Sequence, residues 1–112
     1  MHTLISQLLH KVQTMQERYE EVKSTNSDYD FYNDVVPFTQ EIDALLKQFM
    51  YYKTSIIDLP YMNLQKYQLL ISNIEELSVE CHFQRTSRKL FTEKLKAVQY
   101  DLSYIQRSET QL

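Results

Sequence analysis

Phe31-Tyr32-Asn33-Asp34-Val35-Val36-Pro37-Phe38-Thr39-Gln40-Glu41-Ile42-Asp43-Ala44-Leu45-Leu46-Lys47-Gln48-Phe49-Met50-Tyr51-Tyr52-Lys53-Thr54-Ser55-Ile56 places its apolar residues in alternating steps of three and four. Phe31, Val35, Phe38, Ile42, Leu45, Phe49, Tyr52 and Ile56 make one unbroken stripe, the period of an α-helix and not the two-residue period of a strand. The same spacing recurs on either side. Ile5, Leu8, Val12, Met15, Tyr19 and Val22 precede it; Leu64, Tyr67, Ile71, Ile74, Ser78 and Cys81 follow, then Phe91, Leu95, Val98, Leu102 and Ile105. Leu4, Leu9, Leu46, Met50, Leu70, Leu77 and Leu90 widen the stripes beyond a coiled-coil seam to the breadth of a bundle core.

The breaks between stripes are polar. Ser24 to Asp28, Asp58-Leu59-Pro60 and Gln84 to Ser87 separate the four runs, with Asn63 as the expected N-cap of the third helix and Thr86 or Ser87 of the fourth. The chain of 112 residues contains no glycine, where usage of about 7% would give roughly eight. Phosphate-binding glycine loops, nucleophile elbows and tight two-residue hairpins are therefore disfavoured together. Pro37 admits two readings. A helix starting near Asp34 would hold it harmlessly in the first turn, and one starting near Asp30 would kink there. The stripe from Phe31 favours the kinked long helix. Helices of about 20 residues are ~30 Å long, and turns of a few residues make sequence neighbours antiparallel. The expected architecture is all-α: one domain over residues 1–112, an up-down-up-down antiparallel four-helix bundle with helix two kinked near Pro37. A three-helix bundle with the first helix free to exchange between chains is the second choice.

Composition narrows the functional classes. A net charge of −3 opposes general attraction to nucleic acid or anionic lipid, and the longest aliphatic run, Leu69-Leu70-Ile71, is far too short to span a bilayer. Cys81 stands alone, so no internal disulfide forms and a cytoplasmic location is expected. No metal and no cofactor are expected. Residues three before His10 and His82 are Gln7 and Val79, so the Glu-x-x-His pairing of di-iron bundles is missing, and no carboxylate lies on a seam. Cys81 and His82 are read as diverging by about 100° on a helix, with Cys81 a small buried hydrophobe. No nucleophile or acid–base pair emerges, and the chain is read as a non-enzyme.

Charge is uneven along the chain. Residues 1–81 carry six basic and twelve acidic residues, and residues 82–112 six basic and three acidic. Arg85, Arg88 and Lys89 cluster at the start of the fourth helix, where the macrodipole prefers negative charge. In the expected topology that end also holds Asp28, Asp30 and Asp34, which would neutralise them. Alternatively Thr86, Ser87, Arg88 and Lys89 bind an anion, such as a phosphate, a phosphorylated partner or a nucleic-acid backbone; binding of nucleic acid itself is not expected from so few charges. Tyr100 and Tyr104 lie off their seam one turn apart, as Tyr51 lies off its own, and are candidate contacts to a partner protein.

Two segments together resemble a known family: Asp30-Phe31-Tyr32 with Val36-Pro37-Phe38 and Glu41-Ile42-Asp43, then Ser78-Val79 through Thr86-Ser87-Arg88-Lys89 to Phe91. They are similar to the YppE-like family of small cytoplasmic proteins of Gram-positive bacteria, over roughly residues 10 to 105. The resemblance implies a helical bundle and no established activity. Both segments map to the end already marked by charge, so Asp30, Tyr32, Pro37, Arg85, Thr86, Ser87, Arg88 and Lys89 form the candidate binding surface. The leading functional reading is a non-catalytic cytoplasmic bundle acting through protein–protein contacts, as a monomer or weak homodimer. The alternative is an anion or nucleic-acid binder using the basic N-terminus of helix four.

Overall fold

A computed structural model describes residues 1–110. The chain is helical throughout, with no strand among the described residues: α1 (His2–Thr25), a π turn (Phe31–Val35), α2 (Val36–Met50), the short α3 (Lys53–Ile57), α4 (Leu64–Glu80) and α5 (Arg88–Thr110). The apolar stripes become a single bundle core. Every member of the first and fourth stripes is buried. In the second, Leu46 replaces Leu45, and in the third Leu70 and Leu77 join while Ile71 is half-buried, because a straight α-helix drifts away from a strict 3.5-residue seam. The outer members Phe31, Tyr52 and Leu64 are exposed.

α1 is not an exchangeable appendage. Ile5, Leu8, Val12, Met15 and Val22 are fully buried in the chain's own core, and the helix packs against α2, α4 and α5. Burying each such side chain stabilises by about 1.5–3 kcal/mol, far more than any connecting turn supplies. The three-helix alternative is therefore corrected.

Helix ends are made without glycine. Asn26 alone takes positive φ among the described residues, with φ 56° and ψ 40°. Its N–H and that of Ser27 both reach the Val22 carbonyl, closing α1 by a left-handed cap that asparagine tolerates. Asn63 caps α4 as expected, its side chain accepting from the Lys66 N–H at 2.8 Å. For α5 the cap is Ser87, whose Oγ accepts from the Leu90 N–H at 3.3 Å.

Helix two departs from its expected span at both ends. The N–H groups of Val35 and Val36 reach back five residues, to the carbonyls of Asp30 and Phe31, so the helix opens as a π turn. Pro37, in the first turn of α2, has no N–H to give, and its ring would crowd the Asn33 carbonyl in a regular helix; widening the preceding turn relieves that demand. At the other end the helix stops at Met50 and does not continue to Ile56. Tyr51 and Tyr52 donate to carbonyls three residues back, and this tight turn starts α3, which carries Ile56 into the core.

Candidate functional site

The segments joining α1 to α2 and α4 to α5 meet at one end of the bundle. The Tyr29 N–H donates to the His82 carbonyl at 3.0 Å, and the Gln84 N–H to Asp28 Oδ1 at 2.8 Å. Lys23 Nζ donates to the Gln84 carbonyl at 2.6 Å, and the Tyr19 hydroxyl to that of Thr86 at 2.7 Å. Tyr19 also stacks on Phe91, with ring centroids 4.1 Å apart. The shared end is the one the topology requires, but charge neutralisation takes another route. Among the described residues no ion pair joins Asp28, Asp30 or Asp34 to Arg85, Arg88 or Lys89. Arg88 pairs instead with Glu20 of α1 at 2.7 Å, and Arg85 lies over the Phe83 ring. The aspartates serve backbone donors: Asp28 takes Gln84, Asp30 caps Asn33, and Asp34 accepts from the Asp30 N–H. Short aspartate side chains reach local N–H groups more readily than cations across the turn.

Beneath the meeting point lies a buried cluster that spacing along a helix does not reveal. His82 is fully buried, with Nε2 2.8 Å from Arg18 Nη1. A guanidinium only donates, so Nε2 accepts and the imidazole is neutral, its proton on Nδ1. That nitrogen faces Cys81 Sγ at 3.3 Å. The expected divergence of Cys81 and His82 fails because α4 ends at Glu80: Cys81 is the C-cap, and His82 lies beyond the helix where the 100° rule no longer holds. The burial expected of Cys81 stands. The Arg18 guanidinium sits over the rings of Phe38 (4.5 Å) and Tyr29 (5.2 Å), and both rings meet the His82 ring nearly at right angles.

Burial, reinforced by the adjacent Arg18 charge, pushes the His82 pKa below its ordinary 6.5. Burial likewise pushes the Cys81 thiol up to about 12, although Arg18 pulls the other way. Tyr29 is raised to about 12 by burial and then by its hydrogen bond to Glu21. The cluster sets a protonated thiol beside a neutral imidazole, with the half-buried Tyr29 phenol at its edge, arranged as a plug that clamps the two connections together.

Outside the plug the π turn forms a two-sided ridge. Phe31, Val35, Val36 and Val79, together with the polar Thr39, Asp43, Glu75 and Ser78, line a groove of about 330 Å³ between α2 and α4. Asp30 and Asp34 face a smaller hollow of about 180 Å³, shared with Glu21 and Asp28. Phe31 and Tyr32 are 50% and 79% exposed and meet edge to face at 5.2 Å.

The other expected site residues divide. Asp30 and Pro37 are exposed on this ridge, and Arg85, Ser87, Arg88 and Lys89 are exposed at the start of α5. Thr86 is buried and its hydroxyl donates to the Glu80 carbonyl, so it is not available to an anion. Ser87 is occupied as a cap and Arg88 by Glu20. Tyr100 is 70% exposed, but Tyr104 is half-buried: its ring packs on Tyr61 and its hydroxyl accepts from the Tyr61 N–H at 3.2 Å. Tyr104 is thus a structural contact of the opposite end, because the loop before α4 folds over it. Among the described residues no group of three or more His, Cys, Asp or Glu is placed to hold a metal, and no helix is long and apolar enough to cross a membrane.

Comparison with known proteins gives a consistent picture. A Staphylococcus aureus structure, described as a bacterial domain of unknown function from the DUF1798 family, matches with TM-score 0.93 and 53% identity, over 95% of this chain and 92% of its own. A Listeria innocua protein of unknown function matches at TM-score 0.89 and 19% identity, over 98% and 90% of the two chains. The YppE protein of Bacillus subtilis matches at 0.83 and 21% identity, over 95% and 89%. At those identities the latter two share the fold. A search of curated proteins gives no match. Residues 5–108 match the bacterial domain of unknown function DUF1798, and the chain belongs to that family, in keeping with its YppE-like segments.

Proposed function

We propose that this chain is a non-catalytic cytoplasmic helical bundle, one domain over residues 1–112 and a monomer or weak homodimer, that binds a partner protein through the π-turn ridge. The observation that carries the reading is the exposure of Phe31 and Tyr32 on a turn that is held rigidly from behind. Covering a large apolar side chain is worth about 1.5–3 kcal/mol, and aromatic residues anchored on a fixed backbone are the usual hot spots of interfaces. The clamp of Tyr29 to His82 and of Arg18 across both rings supplies that fixed backbone. The non-catalytic reading is supported by the burial that raises the Cys81 thiol and keeps the His82 imidazole neutral.

The test is affinity capture from the native host with the parent chain, Phe31→Ser/Tyr32→Ser and Tyr100→Ser as baits. Loss of a captured protein with the double variant and its retention with Tyr100→Ser are expected. Identical captures by all three would contradict the reading. The anion-binding alternative at Thr86 to Lys89 has less support, because Thr86, Ser87 and Arg88 already have internal partners. Phosphate titration that leaves the Ser87–Lys89 amide resonances unmoved is the expected outcome.

A further inference from the structure

We infer that the partner of the π-turn ridge is a basic segment: a stretch of another protein that seats a large apolar side chain in the α2–α4 groove and lays lysines or arginines along its edges. This rests on the docking reading above and adds the chemistry of the occupant.

The ridge brings two surfaces within one turn of each other. Phe31 and Val35 form one flank of the groove, while Asp30 and Asp34 point to the acidic hollow. The carboxylates beside them are satisfied by neutral donors only. Glu21 accepts from the Tyr29 hydroxyl, Asp28 from the Gln84 N–H, Asp30 from the Asn33 N–H and Asp34 from the Asp30 N–H. Among the described residues none of these four, nor Asp43 or Glu75 in the groove, takes part in an ion pair. The hydrogen bonds of the four are met by neutral groups, and among the described residues no cation lies within ion-pair distance of them. The nearby cation Lys94 is already held between Glu76 and Glu80, at 2.7 Å from each.

A groove that sets apolar side chains beside carboxylates held in no ion pair selects by charge. A basic segment gains favourable long-range attraction and faster encounter, while an acidic one is repelled at every approach. The groove between α1 and α2, about 520 Å³ and lined by Ala44 and Leu45, lacks this bias because Lys11 and Glu41 pair across it.

The experiment uses two labelled 18-residue amphipathic peptides, one of leucine and lysine and one of leucine and glutamate, with anisotropy and amide-shift mapping on the full chain. Three proteins are compared with the parent: Phe31→Ser, the charge variant Asp34→Asn/Asp43→Asn/Glu75→Gln, and Asp58→Asn/Glu93→Gln as a control. All changes lie at surface or groove positions, and thermal melts by circular dichroism confirm that each variant is folded. The leucine–lysine peptide should shift amides around 30–36 and 75–79. Its binding should weaken about tenfold with Phe31→Ser and about tenfold with the charge variant, and should fall as salt rises. The control should bind like the parent. Equal binding of the leucine–glutamate peptide, shifts elsewhere, or an unaffected charge variant would each overturn the inference. Self-association abolished by the charge variant would also overturn it, by assigning the ridge to a second copy of this chain. If the lysine peptide fails while Phe31→Ser/Tyr32→Ser still loses a native partner, the basic chemistry falls and the docking reading survives. If both results are negative, both fall.

Discussion

His82 is fully buried with its ring nitrogen against the Arg18 guanidinium, an arrangement that holds only while the imidazole is neutral. Protonation would place two positive charges at hydrogen-bond distance in a buried site, with Tyr29 and Phe38 rings on the other sides; the Val79 and Ser78 backbone and the more distant Asp34 pull the opposite way but do not outweigh burial and Arg18. The sign of the effect follows. The unfolded imidazole takes up its proton near 6.5 and the folded one only below that, so the contribution of His82 is complete above 6.5 and is lost as pH falls beneath it. Urea midpoints at pH 7.5 and 5.0 should therefore differ more in the parent than in His82→Gln, which keeps an acceptor for Arg18 without titrating. Equal differences would remove the buried neutral imidazole from the account. Cys81 gives a second check at this scale. A buried thiol raised to about 12 should resist a thiol reagent such as Ellman's in the native chain at pH 8 and react at once in denaturant. None of this contact was readable in the sequence. Arg18 and His82 are 64 residues apart, and the helical rule that separated Cys81 from His82 lapses where α4 ends.

At the level of the elements, the caps and the π turn decide how the bundle end is shaped. Asn26 holds a left-handed conformation in a chain without glycine, and a residue with a plain Cβ pays about 1–2 kcal/mol there. Asn26→Ala is expected to lower stability by about 1 kcal/mol in chemical denaturation, and Asn26→Gly to leave it within a few tenths. Ser87→Ala should cost about 0.5–2 kcal/mol by loss of the bond to the Leu90 N–H. These features were largely legible: polar breaks, Asn63 and Ser87 announce where helices must start. The stripes through Val12, Ile42, Ile74 and Val98 announce which faces are buried. The π turn was not legible, because the spacing of Phe31, Val35 and Phe38 fits a regular helix equally well and Pro37 reads as either a start or a kink. The break at Tyr51-Tyr52 was hidden for a similar reason, since Ile56 continues the stripe whether or not the helix does.

For the whole molecule, the bundle holds two connections against each other at one end, beside the π turn. α1 reaches across the end through Arg18, Tyr19, Glu20 and Lys23, each engaged with a residue between His82 and Arg88. The sequence pointed to this end through charge, yet misplaced the contacts, because aspartates at a turn satisfy backbone N–H groups before they reach a distant cation. The surface that results is acidic and aromatic around the π turn and basic at the start of α5. We propose that the ridge, and not the exposed tyrosine of α5, is where a partner docks. The most direct measurement places a photo-crosslinking amino acid at Tyr32 in one strain and at Tyr100 in another, both in the native host. The account predicts a discrete adduct with one protein from position 32, lost when Phe31 is changed to Ser, and none from position 100. Adducts of equal yield from both positions, or an adduct from position 100 alone, would contradict it.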